Sequence, residues 1–332
     1  MENQCYFVNS RGLLKSCDFH SPNPQSSWCY DKDFLLKMVR GNNMFDGMSI
    51  YVCTDMLPFF LVDILHHIRH YFFLVSGDSD ATVPHGNIDV YSDPRPLDQG
   101  VCVQIANHPK LLKWFAQNLI FTRNNTIENR FHVYDPDVVS KICQLPIGLD
   151  YHTISNDPNK FWRDPSEGSL PMFQESILKE IGSTGKRWKD RLSTIYVHFN
   201  IGGEGCHRQI ALNMIPPELV HQTTDLVPRS QVWKEMVQHV FVMSPYGVGP
   251  DCHRTWEALS LGCIPIVQSF GSDEMYRDLP VLVVKEWNEV TAELLQQTLD
   301  KFQYASFQYE NLSLSYWVRQ FTHRYNHSYI QR

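Results

Sequence analysis

The stretch Ser244–Val267, "SPYGVGPDCHRTWEALSLGCIPIV", leaves one apolar run, "HVFVMSP" (239–245), and enters another, "CIPIVQS" (263–269). Both runs are short and rich in β-branched residues, which predicts two strands. The segment between them predicts a glycine-containing loop and then a helix over 253–261. Strand, helix and strand in so few residues imply a parallel sheet covered by helices. In such sheets ligands gather at the carboxyl ends of the strands. The loop and helix start are therefore the first place to look for function.

The same alternation extends in both directions. Downstream, "PVLVVK" (280–285) predicts a strand and 288–303 a helix. Upstream, "STIYVHFN" (193–200) predicts a strand, 206–214 a helix and 229–238 another helix. An earlier set reads as strands at 49–54, 71–77, 101–108 and 141–148, with helices at 57–69 and about 110–116. Pro58 is admissible in the first turn of the helix at 57–69. Between the two sets, 151–192 reads as a loop with a bridging helix at about 171–182. The expected organisation is an N-terminal Rossmann-like domain with linker (1–185), a C-terminal domain (186–305), and a tail (306–332) that is partly helical and packs back on the protein. Two such α/β domains imply two doubly wound sheets facing a cleft.

Composition sets limits on function. The 332 residues carry a net charge of -7, which argues against nucleic acid as the main partner. Aromatics at 13% suit a cleft that receives ring-shaped ligands. The nine cysteines are scattered without a CxxC pair, and are read as reduced thiols of a cytosolic protein. The sequons at Asn124, Asn311 and Asn326 would matter only in a secretory compartment. The longest apolar stretch, "MLPFFLVDILHHI", contains Pro58, Asp63 and two histidines, so no membrane-spanning segment is expected.

The opening stretch also carries chemistry. Glycines after the strand let a backbone approach a ligand closely. The start of the following helix presents its positive dipole end, which favours phosphate. Arg254 in the first turn can add a bidentate phosphate contact. Glu257, one turn on, can accept hydrogen bonds from both ribose hydroxyls. The set suits a nucleoside diphosphate, although an ordinary helix start with a surface ion pair has the same spacing. "VHFNIGGEGCHRQIALN" repeats the layout, with Arg208 at the head of a helix. Arg208 is expected to reach the diphosphate from the side opposite Arg254; a flexible turn with a solvated arginine is the alternative.

"SPYGVGPDCHRTWEALSLGCIPIV" resembles the C-terminal motif of exostosin-like glycosyltransferases and their algal-virus relatives. The matching positions are Ser244, Pro245, Gly247, Arg254, Glu257, Ala258, Leu259, Gly262, Cys263, Ile264 and Pro265. The motif covers about 25 residues, and a similar layout extends over roughly 190–300. The resemblance implies a GT-B fold, with the donor nucleotide-sugar on the C-terminal domain, and inverting transfer with no essential metal or other cofactor. UDP-sugars are the expected donors, xylose among the sugars, and a glycan hydroxyl is the acceptor. The acidic balance suits a neutral acceptor. The expected location is cytoplasmic, the host's if the chain is viral. The expected donor-binding residues are Arg208, Ser244, Tyr246, Gly247, Gly249, Asp251, His253, Arg254 and Glu257.

Inverting transfer needs a base for the acceptor proton. "SGDSDATVPH" (76–85) follows a strand, and places Asp78 or Asp80 in that role. A turn-forming aspartate cluster is the plain alternative. Asp78-Ser79-Asp80 also has the form by which metal-dependent GT-A enzymes hold Mn²⁺. Asp150 and His152, in "LPIGLDYHT" (145–153), form a second polar pair near a strand end, for acceptor or auxiliary contacts. A catalytically inactive glycan-binding homologue is the rival from another class. "HHIRH" (66–70) reads as a solvated helix face, since His67 stands where a zinc protease needs Glu. "GSTGKR" lacks the Walker spacing, and neither a nicotinamide fingerprint nor a serine nucleophile elbow is present.

Overall fold

The computed structural model describes residues 1–22, 30–41, 43–84, 99–120, 140–201, 207–271 and 273–322. Contacts divide the chain into two compact units. One comprises Ser10–Ile147, Phe270–Met275 and Leu314–Arg332; the other comprises Met1–Asn9, Gly148–Ser269 and Tyr276–Ser313. The chain passes between the units several times, the longest segments meeting at 147/148. Sequons Asn124 and Asn326 lie outside the described residues, as does the Gly-Gly-x-Gly loop at 202–205. Asn311 is buried. The seven described cysteines are free thiols. Among the described residues no helix is long and apolar enough to cross a membrane.

The first unit contains helices α1 (Ser10–Lys15), α2 (Lys32–Arg40), α3 (Leu57–Asp63) and α4 (Gln99–Ala106). Its strands are β1 (Met48–Cys53), β2 (Phe72–Gly77), β3 (Leu111–Ala116) and β4 (Ile142–Gln144), all parallel, in the order β1-β2-β3-β4. Every residue of β1 and β2 is buried, which is why both read as largely apolar runs, each with one buried serine. Among the described strands this order has no reversal, and the parallel sheet is compatible with a Rossmann-like domain. Trp114 donates to the Ser76 hydroxyl across β3 and β2 at 2.8 Å, which satisfies a buried indole. The Leu314–Phe321 segment of the expected tail is helical and packs on α1, with Phe321 against Phe115.

Two elements are the reverse of their sequence expectation. Residues 101–108 are expected as a strand, but 101–106 belong to helix α4; residues 110–116 are expected as a helix, but 111–116 form strand β3. The β-branched residues of "VCVQIA" mimic a strand, but its fully buried positions are Cys102, Ile105 and Ala106. That is helical spacing. β3 pairs on both sides, with β2 and with β4, and a parallel neighbour needs a crossover between the strands. Tertiary pairing overrides local propensity. The helix at 57–69 stops at Asp63. His66 and His70 therefore do not share a helix face, and His70 instead faces Asp46 at 3.4 Å.

The second unit opens, after the boundary, with helices α5 (His152–Asn156) and α6 (Pro171–Ser183). Then come strand β5 (Leu192–Val197), α7 (His207–Asn213), β6 (Val220–Gln222), α8 (Arg229–Met236), β7 (His239–Met243), α9 (His253–Ser260), β8 (Ile264–Gln268), β9 (Leu282–Val284) and α10 (Ala292–Phe302). The five strands are parallel, in the order β6-β5-β7-β8-β9. This sheet is doubly wound. The order reverses on either side of β5, so a topological switch point lies between β5 and β7. Ile195, Phe241, Met243, Ile264, Ile266 and Trp287 lie in its core. The first nine residues belong to this unit because the buried Glu175 carboxylate of α6 accepts from the Tyr6 and Phe7 amides at 3.0 and 2.8 Å.

Candidate functional site

Two chain segments leave the carboxyl ends at the switch point. One follows β5 and carries Phe199 towards α7; the other follows β7 and is the opening stretch. Gly247 is the residue that lets them meet. A Cβ there would lie 3.1 Å from an Arg208 guanidinium nitrogen. Arg208 donates through Nε to the Tyr246 carbonyl at 3.0 Å and through Nη1 to the Asn200 carbonyl at 3.0 Å. Tyr246 stacks on His207, with ring centres 5.1 Å apart, and its hydroxyl donates to the Gln268 carbonyl at 3.0 Å. The second arginine comes from the first turn of α9. Its guanidinium lies 4.9 Å from the Phe199 ring centre, and that of Arg208 lies 5.7 Å from it.

Two guanidinium groups thus share one aromatic ring. Among the described residues neither arginine has a carboxylate within ion-pair distance. Burial holds the Arg254 pKa below the ordinary arginine range and Arg208 adds to this, against the opposing pull of Cys252 and Glu257. An arginine nonetheless stays charged. The arrangement is therefore electrostatically incomplete, and an anion that accepts from both arginines would relieve it.

Several residues of the stretch hold the loop in shape instead. Ser244, 3% exposed, shares a hydroxyl hydrogen bond of 2.9 Å with Thr255 of α9. Asp251, also buried, accepts from Trp256 Nε1 at 3.0 Å and from the Tyr276 hydroxyl at 3.2 Å. Both were expected on the donor; their side chains instead tie the loop to the helix and to the chain after β8. Gly249 is buried and its carbonyl accepts from the Gly247 amide at 3.1 Å.

Glu257 joins a charged network around Asp150. Arg229, at the head of α8, donates to the Asp150 carboxylate at 3.1 Å and to its backbone carbonyl, and lies 3.9 Å from Glu257. His152 Nδ1 is 3.2 Å from the Asp150 carboxylate, which also caps the Thr153 amide at 3.0 Å. His253 donates from Nδ1 to the Gly148 carbonyl at 2.7 Å, and its ring meets that of His152 edge-on at 6.4 Å. Burial pushes the Asp150 pKa up, but Arg229, His152, His253 and the Thr153 amide outweigh it and hold the carboxyl well below the usual range. With Nδ1 directed at the Asp150 carboxylate, the imidazole of His152 has a group that can orient it.

Asp78 and Asp80 have different surroundings. Asp78 sits after β2 with φ of 57° and is buried against Arg11, at 3.0 Å, with both side chains 3% exposed. Its amide donates to Gln117 Oε1 at 2.9 Å, and Gly77 before it leaves no room for a Cβ beside the Gln117 side chain. Asp80 is exposed. A carboxylate sealed against an arginine is poorly placed to take a proton from an outside hydroxyl.

Arg229, Arg11 and Phe199 were not anticipated as members of these clusters. The signal for Arg229 was present in "VPRSQ": a cation in the first turn of a helix opposes the helix dipole, and such a residue calls for a nearby carboxylate. Phe199 gave no signal, since an aromatic just past a strand reads as core. No protein-family model matches the chain, and no curated protein is significantly similar to it.

Proposed function

We propose that the chain is an inverting, exostosin-like glycosyltransferase of GT-B type. It transfers a sugar such as xylose from a nucleotide-sugar, with UDP-sugars the favoured donors, to a glycan hydroxyl in the cytoplasm. The observation that carries this reading is the convergence of Arg208 and Arg254 on Phe199 at the switch point of a doubly wound sheet, with no carboxylate paired to either among the described residues. Two guanidiniums in this setting suit a diphosphate. Glu257, one helical turn beyond Arg254, is the acceptor for the ribose hydroxyls.

The proposed base is His152, oriented by Asp150, rather than Asp78. The acceptor oxygen attacks the anomeric carbon while its proton passes to His152. The bond from that carbon to the diphosphate oxygen breaks, and the nucleoside diphosphate leaves with its charge offset by the two arginines. Asp150 keeps the imidazole aligned and stabilises it once protonated, as a carboxylate partner does in acid–base pairs.

The test is calorimetric titration with a panel of nucleotide-sugars, run beside a hydrolysis assay. Binding of one donor class, lost in Arg254→Met and accompanied by slow hydrolysis, supports the reading. Binding without turnover points to an inactive glycan-binding protein. No binding by any nucleotide-sugar refutes it.

A further inference from the structure

A large cavity in the second unit lies at the other end of the sheet from this site. It measures about 990 Å³. Its walls include Ser193 near the start of β5, Val240 near the start of β7, and Gly262 just before β8. It therefore opens at the amino ends of strands whose carboxyl ends carry Phe199 and Tyr246. Strands of five or six residues separate the two places by about 17–20 Å, at about 3.3 Å per residue. The cavity is a separate site, and its case does not depend on the reading of the switch point.

Its lining has three parts. One is aromatic. Trp188, Phe302, Phe307 and Tyr309 form a connected set, with ring centres 5.2 to 6.4 Å apart. Trp188 is fixed by a 2.8 Å hydrogen bond to the Gly262 carbonyl. The second part is cationic, and comes from "GKRWKDR" (185–191), the stretch that carries no nucleotide motif. Arg191 commits its guanidinium to the Lys186 and Leu261 carbonyls and the Cys263 thiol, and Arg187 faces Asp190 at 3.4 Å. Lys186 and Lys189 are exposed and make no side-chain ion pair among the described residues. The third part is neutral or acidic, with Gln296, Asp300 and Gln303 on and just past the last turns of α10.

These parts narrow the ligand. A volume of this size is at the upper end for small-molecule sites, large enough for several rings in a row. Half-buried aromatic rings and the exposed Tyr309, beside amide and carboxylate acceptors, suit sugar rings with hydroxyls distributed along their length. The carboxyl-terminal end of α10 and Asp300 are poor neighbours for a concentrated phosphate charge. Lys186 and Lys189, exposed and without an ion-pair partner among the described residues, can nonetheless receive dispersed negative charge. Singly charged carboxylates spaced along a chain of sugars meet both conditions, and a nucleotide does not.

We propose that this cavity binds an acidic oligosaccharide, with its rings on the Trp188–Tyr309 aromatic set and its carboxylates at Lys186 and Lys189. The probes are tetragalacturonate, the neutral maltotetraose and UDP, each titrated calorimetrically at low and high salt. The variants are Lys186→Ser/Lys189→Ser and Tyr309→Ala, all at exposed positions. The expected results are binding of tetragalacturonate that weakens with salt, weaker binding of maltotetraose, and a loss of about tenfold or more in the double-lysine variant. Tyr309→Ala should weaken both sugars, and Arg254→Met should leave tetragalacturonate binding intact. Failure of tetragalacturonate to bind, or equal binding by the wild type and the double-lysine variant, overturns the proposal. So does UDP competing with tetragalacturonate in the Arg254→Met background.

Discussion

Arg229 is the residue on which the charged network of the second unit depends, and Arg229→Met is its sharpest test. Methionine keeps the length and apolar stem but removes the charge. Arg229, Asp150 and Glu257 are each only 13–14% exposed in their side chains. The substitution leaves the Asp150 carboxylate without its main cation and the Gln174 amide oxygen without its 3.3 Å donor. Breaking a buried ion pair from one side costs about 3–5 kcal/mol. For a unit of this size, each kcal/mol lowers the melting temperature by about 2–4 °C, so the expected fall is about 6–20 °C. The double variant Asp150→Asn/Arg229→Met separates charge from packing. Asparagine still accepts from the Thr153 amide but carries no charge, so the double variant should regain about half of the loss or more. Urea unfolding followed by tryptophan fluorescence, beside thermal scans, gives both quantities. A loss below about 1 kcal/mol in the single variant, or no recovery in the double, would refute the account of Asp150 as a carboxylate held ionised by Arg229.

Glu257→Gln should weaken donor binding about ten- to a hundredfold in a folded protein, since charge-assisted hydrogen bonds contribute about 1.5–3 kcal/mol; unchanged affinity by calorimetry removes Glu257 from the donor site. His152→Gln should retain donor affinity and lose turnover by about 10²–10⁴-fold, whereas Asp78→Asn should act on stability, by about 3–5 kcal/mol, because it removes the carboxylate charge facing the buried Arg11. Turnover falling in a stable Asp78→Asn protein, with His152→Gln near normal, would return the base to the 76–85 loop. EDTA should leave most transfer activity, and complete loss restored only by Mn²⁺ favours the Asp78-Ser79-Asp80 metal alternative. Burial lowers the pKa of His239, with repulsion from His221 adding and the Thr194 hydrogen bond opposing. The unfolded chain therefore takes up this proton first, at a pH of about 6.5. Its contribution to stability is fully present above that pH and is lost as pH falls towards the folded value. Urea midpoints at a pH of about 7.5 and about 5.5 should show a fall that is shallower in His239→Gln, and equal slopes would exclude this origin.

The strand–loop–helix–strand unit at 239–269 was legible because each part is local. Apolar runs, glycines and the first-turn arginine all act within a few residues, and the boundaries fall within about two residues of expectation. The convergence of Arg208 and Arg254 was legible for a related reason: each heads a helix after a strand of one parallel sheet, and topology does the rest. What escaped the sequence depends on distant partners. The exchange of helix and strand at 99–116 is decided by β3 pairing on both sides, which no local propensity records. Val220–Gln222 forms an edge strand too short to register as a periodic run. The first nine residues join the second unit through distant partners: the Glu175 carboxylate, some 170 positions away, and backbone bonds of Val8 with Leu149 and Leu312.

The same distinction separates the aspartates. Asp78 and Asp150 look alike in sequence, each a carboxylate soon after a strand. In the structure both face an arginine, at 3.0 and 3.1 Å. They differ in what else the carboxylate meets. Asp78 is closed in with Arg11, both 3% exposed, beside a glycine that cannot hold a Cβ. Asp150 shares its carboxylate with His152, and its arginine extends to Glu257. An ion pair sealed from solvent holds a loop in place. One that passes on to a histidine and a second carboxylate sets the tautomer of the imidazole and ties it to the residue proposed for the ribose. The order of the carboxylates along the chain gave no hint of this difference, because Arg229, which makes it, comes 79 residues after Asp150.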